Sequence, residues 1–426
     1  MNTKRLTDYL KRNGLKSTYY AILQHISDFN EDRKYNASRK QYEPSSKELE
    51  EQRRREWEPG KRPFISILVP TYKPRDEYFR QMLRSVREQT YTNFELVLGN
   101  GGGISDNTNA ALSEAAGEYI ALLDQDDILE PDALYHVAEA INKGARLIYT
   151  DEDKYDSKTG KYLRPYRKKD FDMELLLSNN YICHFLVIEK ALVNEAGGFR
   201  SEFDGAQDHD VILRCVEKLK RNEIVHIDRI LYHWRIHEES TAGDPGAKSY
   251  AHLAGKRAIE DHLKRCNISG KVSETEHRGF YRVTYDRSQG ENGDLPKDYE
   301  LHLGKDISPK KEGYIEEMAA YLAANKDVGA IGGRVTDRAG RILSSGYRVG
   351  RSGEAVPLYR GMRNGLSGSF HMASLRQEVD IVSSNCVMLR KETEECMDSD
   401  SGRMCSKIRS RGYRIVIDPG LLFIKR

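Results

Sequence analysis

Two aspartates follow a short apolar run in the first third of the chain. In the stretch ALLDQDD, Asp124 and Asp126 stand two residues apart, just past the end of a predicted buried strand. Carboxylates that emerge into a turn at this spacing can share a hard divalent cation such as Mg²⁺ or Mn²⁺, whose other positions go to phosphate oxygens and water. The alternative is that acidic residues here cap the next helix, with Asp127 as the cap before ILEPDAL. The spacing alone leaves both interpretations open.

A second acidic pair opens a predicted amphipathic helix in GAQDHDVILR. A carboxylate at a helix N-terminus stays ionised in the field of the helix dipole, which suits a general base if the site also desolvates it. Asp208 is the candidate for that base, and Asp210 is the candidate for the helix N-cap. Downstream, YHWRIHEEST carries His233 and His237 on either side of Trp234. A lone histidine is more often a surface group, so these two gain interest only from the acidic motifs.

The stretch ELVLGNGGGIS joins an apolar run to a glycine-rich turn. Glycines before a helix can let backbone N–H groups approach a diphosphate. The turn does not supply the Gly-x-Gly-x-x-Gly pattern, and no acidic residue ends a following strand at the right distance, which argues against a dinucleotide-binding oxidoreductase. We expect a short connection between strand and helix rather than a phosphate cradle.

These motifs lie in a region where apolar runs alternate with helical segments. Between Phe64 and about Leu263, runs such as FISILVP, NFELVLG and ARLIY are separated by helical patterns of roughly 10 to 15 residues. The alternation predicts an α/β domain with a mostly parallel sheet and helices on both faces. Ligands of such sheets bind at the carboxyl ends of the strands, where the acidic motif and the glycine turn are placed.

The composition narrows the class of protein. Of 426 residues, 38% are hydrophobic and 31% are charged, which is typical of a globular chain with room for two or three domains. Because 68 Lys and Arg nearly balance 66 Asp and Glu, the net charge of +2 argues against a nucleic-acid partner. We recognise no signal peptide and no run near the about 20 apolar residues that cross a bilayer, so we expect a cytoplasmic protein. Six scattered cysteines without a Cys-x-x-Cys pair indicate reduced thiols.

The first 60 residues are predicted to form a helical leader and a linker. Residues 1–28 carry apolar side chains at helical spacing opposite several lysines and arginines, and Gly14 is expected to divide them into two helices. Such a segment lies either on an anionic membrane surface or, more commonly, on its own domain. A peripheral contact at the inner face of the membrane is therefore one open interpretation. Residues 29–60 are predicted to be a solvated linker with one helical stretch.

The last third of the chain contains an internal repeat. EYIALLDQDDILEPDALYHVAEAI aligns with DYELHLGKDISPKKEGYIEEMAAYL, with Tyr119 over Tyr299. We therefore predict four segments: leader and linker over 1–60, an α/β domain over 61–265, a linker over 266–296 and a degenerate half-copy over 297–426.

The second copy of the repeat lacks most of the candidate site residues. Without gaps, Asp124 aligns with Gly304 and Asp208 with Asp398, whereas aligning MCSKIRSRGYRIV as the helix puts Arg403 over Asp210. Either alignment predicts a non-catalytic module for packing, acceptor positioning or assembly.

The order of the motifs FISILVPTY, LLDQDD, GGFRSEFDGAQDHDVILR and LYHWRIHEEST resembles the family 2 glycosyltransferases, whose α/β fold is called GT-A. The resemblance covers Phe64 to about Thr241, and the leader is similar to that of bacterial members that build surface polysaccharides. It implies a metal-dependent inverting enzyme that moves a sugar from a nucleotide-sugar donor to a glycan or lipid-linked glycan acceptor. The implied cofactor is a divalent cation, Mn²⁺ or Mg²⁺.

The resemblance also implies roles for individual residues in donor binding. Pro70, Thr71 and Tyr72 match the turn after the first strand that holds the nucleoside. Asn109 lies where the family places a polar side chain near the phosphates, and Asp124 matches the first position of the motif that binds the sugar diphosphate.

Metal and base roles are implied in the same way. Asp124 and Asp126 match the Asp-x-Asp motif that binds the metal, and His237 matches a position that approaches it from the C-terminal side. Asp208 matches the catalytic base, although Gln207 stands where the motif commonly has Glu.

The chain departs from the family at the glycine turn. The second strand runs directly into GNGGGIS, so the base-recognition Asp and about one βα unit are missing. The missing strand would lie at an edge of the sheet, and residues 98–119 still suffice for a helical crossover. The alternative function is accordingly a catalytically retired relative that serves as a scaffold or binds glycan.

Overall fold

The computed structural model describes residues 3–237, 247–286 and 298–426. The chain divides into two compact units. One, here called the central unit, consists of Asp28–Phe171 and Asn179–His262. The other, here called the C-terminal unit, consists of Met1–Ser27, Asp172–Ser178 and Leu263–Arg426. The ends of two sequence features, residues 238–241 of YHWRIHEEST and residues 287–297 of the predicted linker region, lie outside the described residues.

Eleven helices and nineteen strands make up the described chain. The helices are α1 Thr3–Ser38, α2 Ser46–Arg54, α3 Asp76–Arg87, α4 Ile104–Glu114, α5 Ala133–Asn142, α6 Met173–Leu176, α7 Lys190–Glu195, α8 Gln207–Val216, α9 Ala247–Arg265, α10 Tyr314–Ala324 and α11 Ser401–Ser410. The strands are β1 Ile65–Pro70, β2 Phe94–Gly99, β3 Tyr119–Leu122, β4 Ile128–Leu129, β5 Leu147–Asp156, β6 Lys161–Tyr166, β7 Leu186–Glu189, β8 Ile224–Ile236, β9 Gly270–Glu274, β10 Tyr281–Tyr285, β11 Tyr299–Leu303, β12 Ile307–Pro309, β13 Val328–Thr336, β14 Ile342–Ser344, β15 Tyr347–Val349, β16 Ala355–Pro357, β17 Gln377–Glu378, β18 Cys386–Arg390 and β19 Arg414–Lys425.

The central unit is built on one sheet with the strand order β2-β1-β3-β7-β5-β8-β4, and β6 pairs with β5. The pairs β2–β1, β1–β3 and β5–β8 are parallel, whereas β7 runs antiparallel to both of its neighbours and β4 runs antiparallel to β8. The predicted α/β fold class is confirmed, but the sheet is mixed rather than mostly parallel. Strand β7 is a short buried run whose sequence carries no sign of its direction. Because β2 lies at the edge, the missing βα unit leaves no gap inside the sheet.

Apolar periodicity explains how the sheet and its helices pack. Alternate residues of β1, namely Ile65, Ile67 and Val69, point to one face and are fully buried in the main core cluster. Met82 and Val86 of α3, one turn apart, pack into the same cluster. This core holds the carboxyl end of β1 rigidly where the site is built.

A buried polar network attaches the end of α1 to the central unit. Tyr35 donates its hydroxyl to Asp153 Oδ2 at 2.6 Å, and Arg39 Nη2 donates to Glu130 Oε1 at 2.5 Å. His233 Nδ1 lies 2.6 Å from Asp153 Oδ1. Since Tyr35 and Arg39 are buried in this network, this part of the predicted linker is folded rather than solvated.

The charged groups of this network change each other's pKa values. Burial alone would lower the pKa of His233, but the carboxylates of Asp153 and Glu130 beside it raise its pKa to about 9. Burial alone would raise the pKa of Glu130, but His233 and Arg39 lower it to about 2. His233 is therefore a structural cation of the central unit rather than a surface group.

The main sheet of the C-terminal unit repeats the later part of the central sheet. Its order is β11-β18-β13-β19-β12, which corresponds strand for strand to β3-β7-β5-β8-β4. Each pair also has the same direction: β13–β19 is parallel, and β11–β18, β13–β18 and β12–β19 are antiparallel. Strands corresponding to β1 and β2 are absent from this described sheet, in agreement with the sequence repeat.

The start of α11 contradicts the gapless alignment and agrees to within one residue with the helix-based alignment, which would put Ser401 over Asp208. Helix α11 begins at Ser401 with Asp400 as its N-cap, so Gly402 occupies the place that Asp208 has in α8. Asp398 lies before the helix and forms ion pairs with Arg403 and Lys407. The gapless alignment is therefore wrong at this point, because it ignores where the helix starts.

Two other predictions concern segments outside the main sheets, the linker over 266–296 and the break at Gly14. The predicted linker over 266–296 contains an antiparallel hairpin of β9 and β10, which carries buried Val272, Tyr281 and Val283. Gly14, with a φ of 76° and a ψ of 173°, is not helical and divides α1 into two helices, which confirms the prediction. The hairpin escaped prediction because its strands alternate charged and apolar residues over only five positions each.

The raised pKa of His233 predicts a specific loss of stability at alkaline pH. A group whose pKa rises on folding stabilises the fold fully below its unfolded pKa of about 6.5, and that contribution is lost as the pH rises through its folded value of about 9. We expect the free energy of unfolding of the central unit to fall by up to about 3 kcal/mol across this window. Urea unfolding followed by tryptophan fluorescence measures this unit alone, because Trp57 and Trp234, both in it, are the two tryptophans of the chain.

The control is His233→Gln, which cannot titrate. It should be less stable than the wild type at pH 6.5 and should lack the additional decline toward pH 9. An equal decline in both proteins would show that His233 is not the group responsible.

Candidate functional site

Two adjoining cavities open at the carboxyl ends of the first strands of the central sheet. The larger has a volume of about 830 Å³ and the smaller of about 340 Å³. Five residues line both: Pro70 at the end of β1, Ile104 at the start of α4, Asp124 after β3, Trp234 of β8 and Tyr250 of α9. The position is the one expected for a ligand of an α/β sheet.

The acidic loop, residues 124–127, is tied to the turn after β1. The backbone N–H of Tyr72 donates to Gln125 Oε1 at 2.8 Å, and Gln125 Nε2 donates to the Tyr72 carbonyl at 3.0 Å. Gln125 thus holds the loop in place between its two neighbouring carboxylates. Asp124 lines both cavities, and Asp126 lines only the larger one.

Asp127 holds the same loop to β8 from the other side. Its carboxylate is buried and accepts hydrogen bonds from the Tyr232 hydroxyl and, at 2.7 Å, from the backbone N–H of Arg235. Arg235 Nε in turn donates to the carbonyl of Asp126 at 2.5 Å. Burial, together with the nearby charges of Asp124 and Asp126, raises the pKa of Asp127 well above its usual range. The alternative role of Asp127 as a helix cap is wrong, because α5 begins only at residue 133.

At these cavities, one pair of candidate ligands is in direct contact, and one group of three side chains has ligand atoms close enough together to hold a metal ion. Asp126 Oδ2 and His237 Nε2 lie 2.8 Å apart, and both residues line the larger cavity. Asp124, Asp127 and His184 offer ligand atoms within 4.8 Å of one another. The predicted set of Asp124, Asp126 and His237 therefore lines one cavity. Asp126 and His237 are in contact there, whereas Asp124 belongs to the group with Asp127 and His184.

The charged residues around both cavities affect the pKa of Asp124. Its pKa is raised first by burial, while His184 opposes the shift and the negative charges of Asp126 and Asp208 add to it. Among the described residues, no side chain donates a hydrogen bond to its carboxylate. A cation or a hydroxyl placed between the cavities would meet an Asp124 carboxylate oxygen that accepts no hydrogen bond from the described side chains.

Asp208 faces the smaller cavity from the first turn of α8. Asn180 Nδ2 donates to its Oδ2 at 2.7 Å, and the backbone N–H of His209 donates to its Oδ1 at 2.9 Å. The Cys183 thiol lies 3.6 Å from Oδ2. Both carboxylate oxygens are thus oriented by the protein, and Oδ1, with one donor, keeps a lone pair for a ligand.

The other acidic residue of this helix has a structural role. Asp210 is fully buried and accepts from Arg200 Nε at 3.1 Å and from Arg214 Nη2 at 2.6 Å. Ala206 stands at the N-cap, so the predicted capping role of Asp210 is wrong. The two carboxylates point in different directions because they lie two residues apart on a helix.

Of the residues predicted to bind the donor, some line a cavity and others do not. Pro70 and Tyr72 line the larger cavity, and Tyr72 is 65% exposed there. Thr71 does not line either cavity; its N–H and Oγ1 both donate to the carbonyl of Gly99 at 2.8 Å. Asn109 also lines neither cavity, since its amide exchanges hydrogen bonds of 2.7 and 2.9 Å with the backbone of Phe199. The geometry does not support the predicted phosphate contact of Asn109.

Several lining residues carried no signal in the sequence. His184 stacks on the ring of Tyr232 with centroids 4.6 Å apart, and Asn107 lines the larger cavity while its Nδ2 donates to the Thr71 carbonyl at 2.9 Å. Asn180 and Tyr250 reach the site from segments without a recognisable motif.

The glycine turn brings β2 and α4 into close contact. A Cβ at Gly99 would lie 1.8 Å from the carbonyl oxygen of Asn107 on α4. Gly102 and Gly103 line the larger cavity just before the helix starts. The turn is therefore the short strand-to-helix connection expected, and its last glycines border the site.

Comparison with known proteins adds a family match. Residues 98–196 match the model described as Glycosyl transferase family 2. The protein y4gI of Sinorhizobium fredii is 29% identical over 84% of this chain and 52% of its own length. The O-antigen biosynthesis protein RfbC of Myxococcus xanthus is 31% identical over 50% of this chain and 19% of its own length. The chondroitin synthase of Pasteurella multocida is 26% identical over 42% of this chain and 21% of its own length.

This chain thus spans about half the length, or less, of these relatives. Among solved structures, a fragment of S. aureus TarS in complex with UDP-GlcNAc covers 47% of this chain and 66% of its own, with 16% identity and a TM-score of 0.37.

The close contact at the glycine turn predicts an asymmetric response to alanine. Gly99→Ala should destabilise the central unit by about 2 kcal/mol or more, because its methyl group collides with backbone rather than with a movable side chain. Gly102→Ala is the matched control, since its Cβ would meet only the Asp106 carboxylate at 3.3 Å. Urea unfolding by tryptophan fluorescence compares the two variants. Equal stability of both would contradict the close packing of β2 on α4.

Proposed function

Because the chain carries a family 2 glycosyltransferase domain, we propose that it transfers a sugar from a nucleotide-sugar donor to a hydroxyl of a growing surface glycan, with inversion at the anomeric carbon. The observation that carries the proposal is the placement of Asp208 and Asp124 on one cavity, beside a larger cavity that holds Asp126 and His237. A base for the acceptor and a set of ligands for a diphosphate complex thus adjoin each other.

The larger cavity is the proposed donor site. Its volume of about 830 Å³ lies in the range of ligand pockets, and Tyr72 and Tyr78 supply aromatic surface for a nucleoside. Lys73 and Arg75 add positive charge at the same rim, which favours a diphosphate.

The side chains present fit a divalent cation. The carboxylate of Asp126 and the imidazole of His237 are 2.8 Å apart, and carboxylate with imidazole is a donor set suited to Mn²⁺. Asp124, at the boundary of the two cavities, is placed to complete the set or to orient the donor sugar. When bound, the ion would supply positive charge for the diphosphate leaving group.

The smaller cavity is the proposed acceptor site. Trp234 and Tyr250 line it and offer faces on which a sugar ring can pack. An acceptor hydroxyl there donates its proton to Asp208 as its oxygen attacks the anomeric carbon, and the bond from that carbon to the diphosphate breaks. Asn180 and His209 hold the carboxylate for this step. A single displacement with one base inverts the configuration, and no covalent sugar intermediate is required.

A second candidate function is a scaffold that has lost turnover. It is favoured by the direct run of β2 into the glycine turn and by Asn109 being committed to the Phe199 backbone, which together reduce the polar groups available to a nucleotide. Nucleotide binding separates the two candidates.

The proposal predicts that Asp208→Asn removes transfer but keeps donor binding. The amide cannot accept the proton, so turnover should fall by about a hundredfold or more. The measurement is sugar transfer or donor hydrolysis by the full chain, with Mn²⁺ and a panel of nucleotide sugars, beside calorimetric titration with the matching nucleoside diphosphate. Asp228→Asn, an exposed position on β8, is the control and should behave as the wild type. Unchanged turnover of Asp208→Asn would exclude it as the base.

A separate prediction concerns the metal ligands. Asp126→Asn and His237→Ala should each weaken Mn²⁺-dependent nucleoside diphosphate binding by about tenfold or more, because each removes a ligand from the same pair. Titrations with and without Mn²⁺ check this against the Asp228→Asn control. If the wild-type chain binds no member of a nucleoside diphosphate panel, the enzyme proposal fails and the scaffold function stands.

A further inference from the structure

A line of apolar side chains on α1 faces solvent. Leu15 is 80% exposed, Tyr19 51%, Ile22 39% and Ile26 53%. Their spacing of four, three and four residues places them above one another on one side of the helix. We call these four residues the α1 stripe. A contiguous exposed apolar surface of this kind marks an interaction site more often than an accident of composition.

The packing of α1 on its own unit leaves the stripe free. Tyr20 lies against the backbone of Gly365, where a Cβ would come within 2.1 Å of its ring. The Tyr20 ring also lies edge-on to the ring of Tyr19, with centroids 5.5 Å apart, so the docking side of the helix adjoins the stripe. Because each stripe side chain stays between 39% and 80% exposed, this docking does not account for the stripe.

Charge complements the stripe. Residues 1–27 contain five Lys or Arg and one Asp, whereas the remainder of the chain has a slight acidic excess. Lys11, which precedes Gly14 in the chain, is exposed. Basic residues next to an apolar line match a surface with anionic headgroups above a hydrocarbon layer, and the ring of Tyr19 suits the boundary between them.

The same spacing would also fit a coiled coil with a second copy of the helix. It continues to Phe29, but the next positions of such a seam, before and after, are Arg12 and Arg33. Gly14 with its φ of 76° also interrupts the helix at the start of the stripe. A seam of about two heptads is shorter than the three to four that indicate a coiled coil. The sequence around the stripe thus favours a lipid surface over self-association.

We propose that α1 binds the chain to an anionic lipid surface through the α1 stripe, lying in the plane of the interface. Among the described residues, no helix is both long enough and apolar enough to cross a bilayer. The contact is peripheral and reversible, and it combines burial of the stripe with attraction of the basic segment to the headgroups. It does not depend on transfer activity, so it stands or falls separately from the proposed function.

Vesicle co-sedimentation of the full chain tests the proposal. The probes are vesicles of equal parts phosphatidylglycerol and phosphatidylcholine, and vesicles of phosphatidylcholine alone. The wild type should bind the mixed vesicles at low salt, and bind more weakly both to phosphatidylcholine alone and at raised salt. Ile22→Glu with Ile26→Glu should reduce binding to mixed vesicles by about tenfold or more, because it places negative charge on the α1 stripe, which would be buried in the lipid.

The matched control is Val349→Glu with Val356→Glu. Both valines lie in the C-terminal unit and are 43% exposed, so this double variant adds the same charge away from α1 and should bind as the wild type. Circular dichroism checks that both variants fold. The proposal is overturned if the wild type does not bind mixed vesicles or if both variants bind equally. It is also overturned if light scattering shows a wild-type dimer that Ile22→Glu with Ile26→Glu dissociates, since the stripe is then a self-association surface.

Discussion

The geometry of the site depends on the buried carboxylate of Asp127. It accepts one hydrogen bond from the Tyr232 hydroxyl and one from the Arg235 backbone, and so fixes the loop after β3 to β8. The end of β3 is thereby linked to the carboxyl end of β8, a strand about 100 residues later in the chain. With the loop anchored, Asp126 is directed into the larger cavity, where it meets His237, which lies two residues beyond Arg235. Hydrogen bonds to both of its oxygens reduce the cost of burying this group, although burial still raises its pKa.

The C-terminal unit shows what the same topology does without these groups. Its sheet has the order and directions of the later part of the central sheet, yet Gly304 and Gly402 stand where the site carries Asp124 and Asp208. Asp306 remains, but it forms an ion pair with Lys425. Topology is maintained by buried strands such as β13, all of whose residues are buried, and that requirement is independent of the loop residues. The structural or assembly role of this unit stays a prediction.

Much of the site could be predicted from the chain, because the relevant signals are local. Asp124, Asp126, Asp208 and His237 were identified from motif type and order, and the structure brings all four to two adjoining cavities. Residues that enter through non-local contacts could not be found in this way. His184, for example, owes its place to stacking on Tyr232 and to the antiparallel insertion of β7, neither of which leaves a mark in the sequence.

The sequence by itself determined the α/β class, the location of the candidate site at the strand ends and the presence of a partial repeat. These follow from apolar periodicity and motif order, which are properties of neighbouring residues. Tertiary structure alone decided which polar residues serve the site and which serve the fold. Asp208 and Asp210 differ by two positions, yet one faces a cavity and the other lies between Arg200 and Arg214. The distinction is decided by what each side chain meets across the fold, since burial and charge pairing arise only when distant segments pack together.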